Sequence, residues 1–256
     1  MLRFRERTTE APHKAAVVQN HFLATLPPAD FEQLRPYLRV VELKRHAVIH
    51  EANKPVDAVY FVESGVVSRV ARTQADGVVE VAMVGRFGFV GLAVVLGTMV
   101  ALHRTVVQIP GLALRISAPD LQAIMAKNPA IRDHLLRYVQ LLMSQKAQVA
   151  LCNAKHEIDK RLSRWLLQAN DRVAGNQLPV THDVLAMMLG VRRAGVSEAL
   201  AMLEAKGLVA KTRGALRIVN REGLKAHACE CYRIIEDRFS WQRAMTHYEH
   251  RIDMGD

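Results

Sequence analysis

Two arginines, Arg192 and Arg193, stand side by side just after Gly190 in the stretch LAMMLGVRRAGVSEALAMLEAKGLV, residues 185–209. A guanidinium is a rigid fork of donors that fits the O6 and N7 acceptors of guanine in the major groove, or clamps a phosphate. Ser197 and Glu198 follow one turn later on the same side. A helical hairpin that binds nothing, its arginines merely solvated, is the competing reading of these residues. A second constellation is Arg104 followed by Thr105, with Gly85, Gly88 and Gly91 upstream; such glycines leave the backbone open enough for an anion cradle beside the arginine. Arg104 also fits the role of a structural salt-bridge partner. The third constellation is sulfur. Cys152, Cys229 and Cys231 are the three cysteines of the chain, an odd number without a disulfide-like framework, so free thiols are expected. HACEC carries His227, Cys229 and Cys231 in an expected helix, where alternate residues point to different faces, so no metal site is predicted. His247 and His250, three apart with no third ligand, are read as solvent-facing.

The elements that must position the arginines are legible around them. Thr181 opens a short apolar helix, Gly190 sits where a helix must stop and reverse, and GVSEALAMLEAKGLV resumes helical periodicity, which is helix-turn-helix spacing. Leu185, Leu189, Val191, Val196, Leu200 and Leu203 lock the two helices and leave the start of the second pointing outward. GLVAKTRGALRIVN then reads as a β-hairpin turning near Arg213 and Gly214. Lys211, Arg213 and Arg217 on it, and Thr181 before the first helix, would meet flanking phosphates. Helix-turn-helix plus basic hairpin is a winged helix.

Upstream, LRVVEL, HAVIHE, AVYFV, VVSRVAR, VVEVAMV and RTVVQI are short strand-like runs between turn signals, the pattern of an antiparallel barrel or roll. Near the N-terminus, NHFLATL predicts a short helix ended by Pro27 and Pro28, and Asp30 with Gln33 resembles a capping box for a second one. Ser117, three residues before Asp120, starts a further helix, and a long one follows Pro129. Along it Ile131, Leu135, Tyr138, Leu142, Gln145, Val149 and Cys152 recur at alternating steps of four and three, the spacing of a dimer seam. Leu136, Val139 and Met143 form a second stripe, assigned to the helix's own domain; an ordinary core helix of a monomer is the alternative. Cys152 fits there as a small apolar filler.

At 256 residues, half of them hydrophobic, the chain can bury two cores, and its formal net charge of +10 favours an anionic partner. The opening MLRFRERTTEAPHK lacks a secretory signal's apolar core, and the longest uncharged run, Phe87 to Leu102, is short and glycine-rich for a membrane span, so a cytoplasmic protein without membrane partners is expected. No GxxxxGK[ST], HExxH or GxSxG occurs, and catalysis is not expected. Beside the enzyme, a second rival is a nucleotide sensor acting on a partner protein; it leaves Arg192, Arg193 and the basic wing unexplained.

Taken together, these residues resemble the Crp/Fnr family of bacterial transcription regulators over nearly the whole chain. The resemblance rests on Gly190, Arg193, Val196 and the Leu200 to Leu208 ending of the helix-turn-helix. It implies an α+β fold: a cyclic-nucleotide-binding-type β-roll with flanking helices (residues 1–128), a dimerisation helix (129–154) and a C-terminal winged helix-turn-helix with a helical tail (155–256). It also implies a homodimer on near-palindromic double-stranded DNA, a small-molecule effector, and RNA polymerase as a further partner. By the same resemblance Arg193 takes the base-reading place. Arg192, Ala194 and Glu198 depart from the family's usual residues, so an unusual half-site is expected. Gly195 inside the recognition helix should cost about 1 kcal/mol relative to Ala unless a close backbone approach needs it. Family members that bind cyclic AMP carry a glutamate for the ribose about ten residues before the phosphate arginine. No glutamate lies between Arg86 and Arg104 here. A buried ribose hydroxyl would then lack its acceptor at a cost of roughly 1–3 kcal/mol, so a ligand other than cyclic AMP, or a pocket filled by Val94, Val95 and Leu96, is expected. No cofactor is expected; an iron–sulfur cluster would need about four placed thiolates.

Overall fold

AVYFV is buried at all five positions because it separates two cores. In β4 (Ala58–Val62), Val59 and Phe61 pack with Phe22, Phe89 and Tyr138, whereas Ala58, Tyr60 and Val62 pack with Val67, Val84 and Val107 inside the roll. Side chains alternate across a strand, so one run of apolar residues feeds both layers. The computed structural model describes residues 18–73 and 77–240. The chain's opening, Asp76, and His247 with His250 lie outside the described residues.

The roll consists of β1 (Arg39–Leu43), β2 (Val48–His50), β3 (Lys54–Pro55), β4, β5 (Val66–Thr73), β6 (Gly77–Val84), β7 (Phe89–Val90), β8 (Val100–Ala101), β9 (Arg104–Ile109) and β10 (Gly111–Ser117). Two four-stranded sheets, in the orders β1-β10-β4-β7 and β2-β9-β5-β6, are joined by a β3-β8 pair, and all pairings are antiparallel. Four helices cover it: α1 (Pro28–Leu34), α2 (Leu92–Val95), α3 (Ala118–Lys127) and α4 (Pro129–Lys155). Ser117 caps α3 by accepting from the Asp120 N–H, as expected, and Asn128 caps α4 by accepting from the Ile131 N–H. The capping box at Asp30 is corrected. The helix already begins at Pro28, whose fixed φ suits a first helical position, and Asp30 Oδ1 accepts from Asn128 Nδ2 at 2.7 Å.

The dimer seam is corrected as well. Ile131, Leu135, Tyr138 and Leu142 are buried in their own protomer with Phe22, Phe89 and Leu121; Gln145 is buried, Val149 half-buried, and Cys152 is buried against Cys229 and Cys231. The bulkier stripe of α4 is taken by the aromatic floor of the roll. The face left outward carries Leu136 (38% exposed), Met143 (66%) and Leu151 (49%) among Gln140, Ala147, Ala150 and Ala154.

The C-terminal half comprises α5 (Ile158–Asn170), β11 (Gln177–Leu178), α6 (His182–Leu189), α7 (Arg193–Ala205), β12 (Val209–Thr212), β13 (Ala215–Ile218), α8 (Arg221–His227) and a further helix over residues 231–240. Its sheet runs β11-β13-β12. Its core of Leu162, Leu166, Leu185, Leu200 and Leu203 also takes in Val66, Met83 and Ile109 from the roll. Trp165 Nε1 on α5 donates to Glu80 Oε1 on β6 at 2.9 Å, which fastens the two halves together. No helix among the described residues is long and apolar enough to cross a membrane.

Candidate nucleic-acid interface

Thr181 caps α6 by accepting from the Val184 N–H at 3.3 Å, and Gly190 ends the helix at φ 63°, the left-handed conformation that lets the chain reverse. Arg161 on α5 donates to the Leu189 carbonyl and so steadies that reversal. The following helix starts at Arg193 with Arg192 as its N-cap, and no side chain caps it, so its first N–H groups remain open beside two exposed guanidinium groups. Arg193 Nε pairs with Asp183 at 3.2 Å, both side chains two-thirds or more exposed, so the contact is weak enough to yield to a stronger partner.

The face holding Arg192, Arg193 and Glu198 is exposed as expected. Ser197 is half-buried and engaged within the motif: its Oγ donates to the Arg193 carbonyl at 3.1 Å and lies 2.9 Å from His182 Nδ1. It therefore braces α7 against α6. His182 and Asp183, on the first turn of α6, were not singled out by sequence reasoning; only their place beside the cap Thr181 pointed to them. At Gly195 a Cβ would lie 3.0 Å from Ile158 Cδ1 at the start of α5, a tight contact with the movable end of a side chain. On the wing, Arg213 precedes Gly214 (φ 74°) at the hairpin turn and is exposed, as is Arg217, while Lys211 Nζ pairs with Glu204 at 3.0 Å.

The effector cradle predicted in the roll is rearranged. A cavity of about 190 Å³ lies between α2, β9 and α4, and of the expected residues only Gly91 and Thr105 line it. Arg104 Nε pairs instead with Glu51 at 3.2 Å, half exposed. Gly85 and Gly88 serve packing: a Cβ on the first would lie 2.5 Å from Arg172 Cγ, and on the second 1.9 Å from Tyr138 Oη. Val94 and Val95 are buried in the helical core, and Leu96 edges the cavity. The cations that line it are Arg69 and Lys146, with the His103 and His50 rings beside them and no carboxylate among the lining residues. Arg69 Nη1 and His103 Nδ1 are buried without a hydrogen-bond partner among the described residues. The orphaned guanidinium donor of Arg69 points to an anion.

Burial lowers the pKa of both His50 and His103, and in His103 the Arg69 and Lys146 charges add to it. Both rings are therefore neutral when folded, and unfolding takes up protons below about pH 6.5, so their contribution makes stability fall as pH drops through that value. Glu80, which removal from water pushes up, acts in the opposite sense. The clean readout is a comparison of melting temperatures at mildly acid and neutral pH: the His50→Gln/His103→Gln double variant should lose less on acidification than the parent. An equal loss in both would show that these rings do not titrate as described.

The three thiols are not scattered either. Cys152 Sγ lies 3.5 Å from Cys229 Sγ, and Cys231 Sγ lies 3.6 Å from His156 Nδ1. The expectation that Cys229 and Cys231 diverge on one helix fails, because α8 ends at His227 and extended backbone at Ala228 turns both sulfurs inward. His227 points elsewhere, with Nε2 2.8 Å from Asp159.

A sensor roll joined through one long helix to a winged helix-turn-helix defines a DNA-binding transcription regulator with a built-in sensor. The cyclic nucleotide-binding domain model matches residues 40–128, and the Crp-like helix-turn-helix domain model matches residues 160–227. The chain belongs to the Crp/Fnr family of transcription regulators. The solved structures that share its fold include three regulators. FixK2 from Bradyrhizobium japonicum superposes with a TM-score of 0.64 at 18% identity, over 75% of this chain and 98% of that one. CLP, the cyclic-di-GMP-responsive global regulator of Xanthomonas campestris, gives 0.60 at 19%, over 75% and 99%. A CRP-family transcriptional regulator from Thermus thermophilus gives 0.61 at 18%, over 73% and 96%. No protein of curated function matches the chain in sequence.

Proposed function

We propose that the protein works as a homodimer whose two α7 helices enter successive major grooves of a near-palindromic site, about 34 Å apart. The observation that carries this reading is the exposed pair Arg192 and Arg193 at the uncapped start of α7, with Arg213 and Arg217 on the wing beside it. Arg193 and Arg192 read bases, Glu198 selects against wrong ones, and the wing with Thr181 and Lys211 holds phosphates. Dimerisation uses the outward face of α4: Leu136, Gln140, Met143, Ala147, Ala150 and Ala154 recur at steps of four and three, and the small residues allow close approach of two helices. The effector is a compact anion, not cyclic AMP. Arg69 and Lys146 meet its charge beside the His103 ring, and the contact of the cavity with Leu142, Met143 and Lys146 on α4 couples its occupancy to the dimer helix.

The test is selection of bound sequences from a random duplex pool at near-physiological salt, run with the parent and with Arg193→Ala and Arg213→Ala. The parent should enrich an inverted repeat. Arg193→Ala should lose roughly 10- to 100-fold in discrimination at one position of each half-site, following a bidentate contact worth about 1–3 kcal/mol. Arg213→Ala should instead weaken all sequences alike and lower the salt dependence. Retention of the parent's motif and affinity by Arg193→Ala would remove the base-reading role; absence of any enriched repeat, with or without small anions added, would remove the sequence-specific dimer.

A further inference from the structure

Four soft ligands far apart in sequence converge where α4 meets the C-terminal helix. Cys152 lies in the last turn of α4, His156 follows the end of that helix, Cys229 lies in the break after α8, and Cys231 opens the helix beyond it. Three sulfurs and one imidazole nitrogen all lie within 4.8 Å of one another. The three cysteines are buried, with Cys152 and Cys231 wholly so. Packing alone would account for thiols gathered in an apolar pocket, but not for the polar groups aimed at them. Arg164 Nε donates to Cys152 Sγ and Gln148 Nε2 to Cys231 Sγ, each at 3.2 Å, while His156 turns Nδ1 toward Cys231 and places Nε2 3.4 Å from the Glu230 carboxylate. N–H donors on the sulfurs and a carboxylate behind the imidazole are the outer partners that orient metal ligands and set their basicity.

We propose that Cys152, His156, Cys229 and Cys231 form a closed tetrahedral site for a divalent cation of the zinc class. Bonds of about 2.3 Å to sulfur and about 2.0 Å to nitrogen put the ligand atoms of a tetrahedron roughly 3.5–3.8 Å apart. The Cys152–Cys229 and Cys231–His156 separations of 3.5 and 3.6 Å meet that spacing with little movement. An iron–sulfur cluster, whose own inorganic core must fit between its thiolates, needs a wider cage. Four protein ligands leave no open position, so the site is structural. Three thiolates and a cation carry one net negative charge, which the Arg164 guanidinium beside Cys152 offsets. Binding displaces the thiol protons to solvent, so affinity rises with pH. The ion ties the end of α4 to the segment that follows the winged domain, and so fixes how the DNA-binding half sits on the long helix.

Cobalt(II) alone, added to reduced, chelator-treated full-length protein, gives the decisive readout. The expected result is one equivalent bound per chain, with the intense visible bands of tetrahedral cobalt and a thiolate-to-metal charge-transfer band, all abolished by one equivalent of zinc(II). Cys231→Ser should weaken binding by more than the 10- to 100-fold typical of losing an outer partner, and Glu230→Gln, which leaves every ligand in place, by roughly that range. Three results would overturn the site: no tetrahedral spectrum with thiols that react equally fast with and without zinc, a weak octahedral spectrum indifferent to Cys231→Ser, or a Cys152–Cys229 disulfide that persists in reductant and excludes the metal.

Discussion

Ala147→Glu is expected to yield a folded monomer that has lost its operator. Ala147 is exposed on the outward face of α4, away from the effector cavity, so the substitution removes no buried contact from the protomer and should leave its melting temperature nearly unchanged. In the proposed dimer the same position faces its own copy across the two-fold axis. Two carboxylates would meet there with little water between them, at a cost of several kcal/mol. Each winged domain would then bind its half-site alone, and the loss of linkage between two half-sites lowers affinity by on the order of 10²- to 10⁴-fold. Sedimentation velocity and fluorescence anisotropy on the selected operator read the two effects separately. A variant that remains dimeric with full affinity would place the dimer contact on some other surface.

Gly88→Ala is expected to be strongly destabilising to the sensor. Its Cβ would lie 1.9 Å from Tyr138 Oη and 2.2 Å from Cζ, and Tyr138 is buried between Phe22 and Phe89 with no room to swing aside. Overpacking of this severity costs about 3 kcal/mol or more, which for a chain of this size lowers the melting temperature by roughly 6–12 °C. The double-mutant cycle identifies the cause. In a Tyr138→Ala background, itself destabilised, Gly88→Ala should cost far less, because the ring it collides with is gone. If the methyl group is tolerated equally in both backgrounds, the helix does not press on the strand at this point.

The winged helix was legible because each of its features is local. Thr181, Gly190 and the Arg213-Gly214 turn act through backbone conformation within a few residues, and the leucine spacing between them is set by one helix pair. What could not be read is where residues distant in sequence meet. β10 was missed because GLALRIS is rich in Leu and Ala and carries few β-branched residues; its place between β1 and β4, not its own propensity, makes it a strand. The stripes of α4, Val139 apart, are exchanged because periodicity gives two apolar faces without saying which one the roll covers. Arg104 takes the phosphate arginine's place by the resemblance, yet neighbouring side chains on a strand alternate: Thr105 goes in, and Arg104 goes out to Glu51. Arg69 and Lys146, which do line the cavity, come from a strand and a helix that no spacing connects. The thiol cluster stayed hidden because a three-residue interruption, Ala228 to Glu230, reverses the geometry that an unbroken helix would impose.

Val66, Met83 and Ile109 lie in the same buried cluster as Leu162, Leu185 and Leu200, and Trp165 completes its hydrogen bonding on Glu80. The consequence is one of heredity. The winged half of this chain cannot be exchanged for that of a relative as a free-standing module, since a foreign partner would bring no matching apolar floor for β5, β6 and β9 and no indole for the carboxylate. Substitutions on the two sides of that seam are bound to accumulate in pairs, so the specificity of the DNA-binding half drifts within a frame that its own sensor dictates.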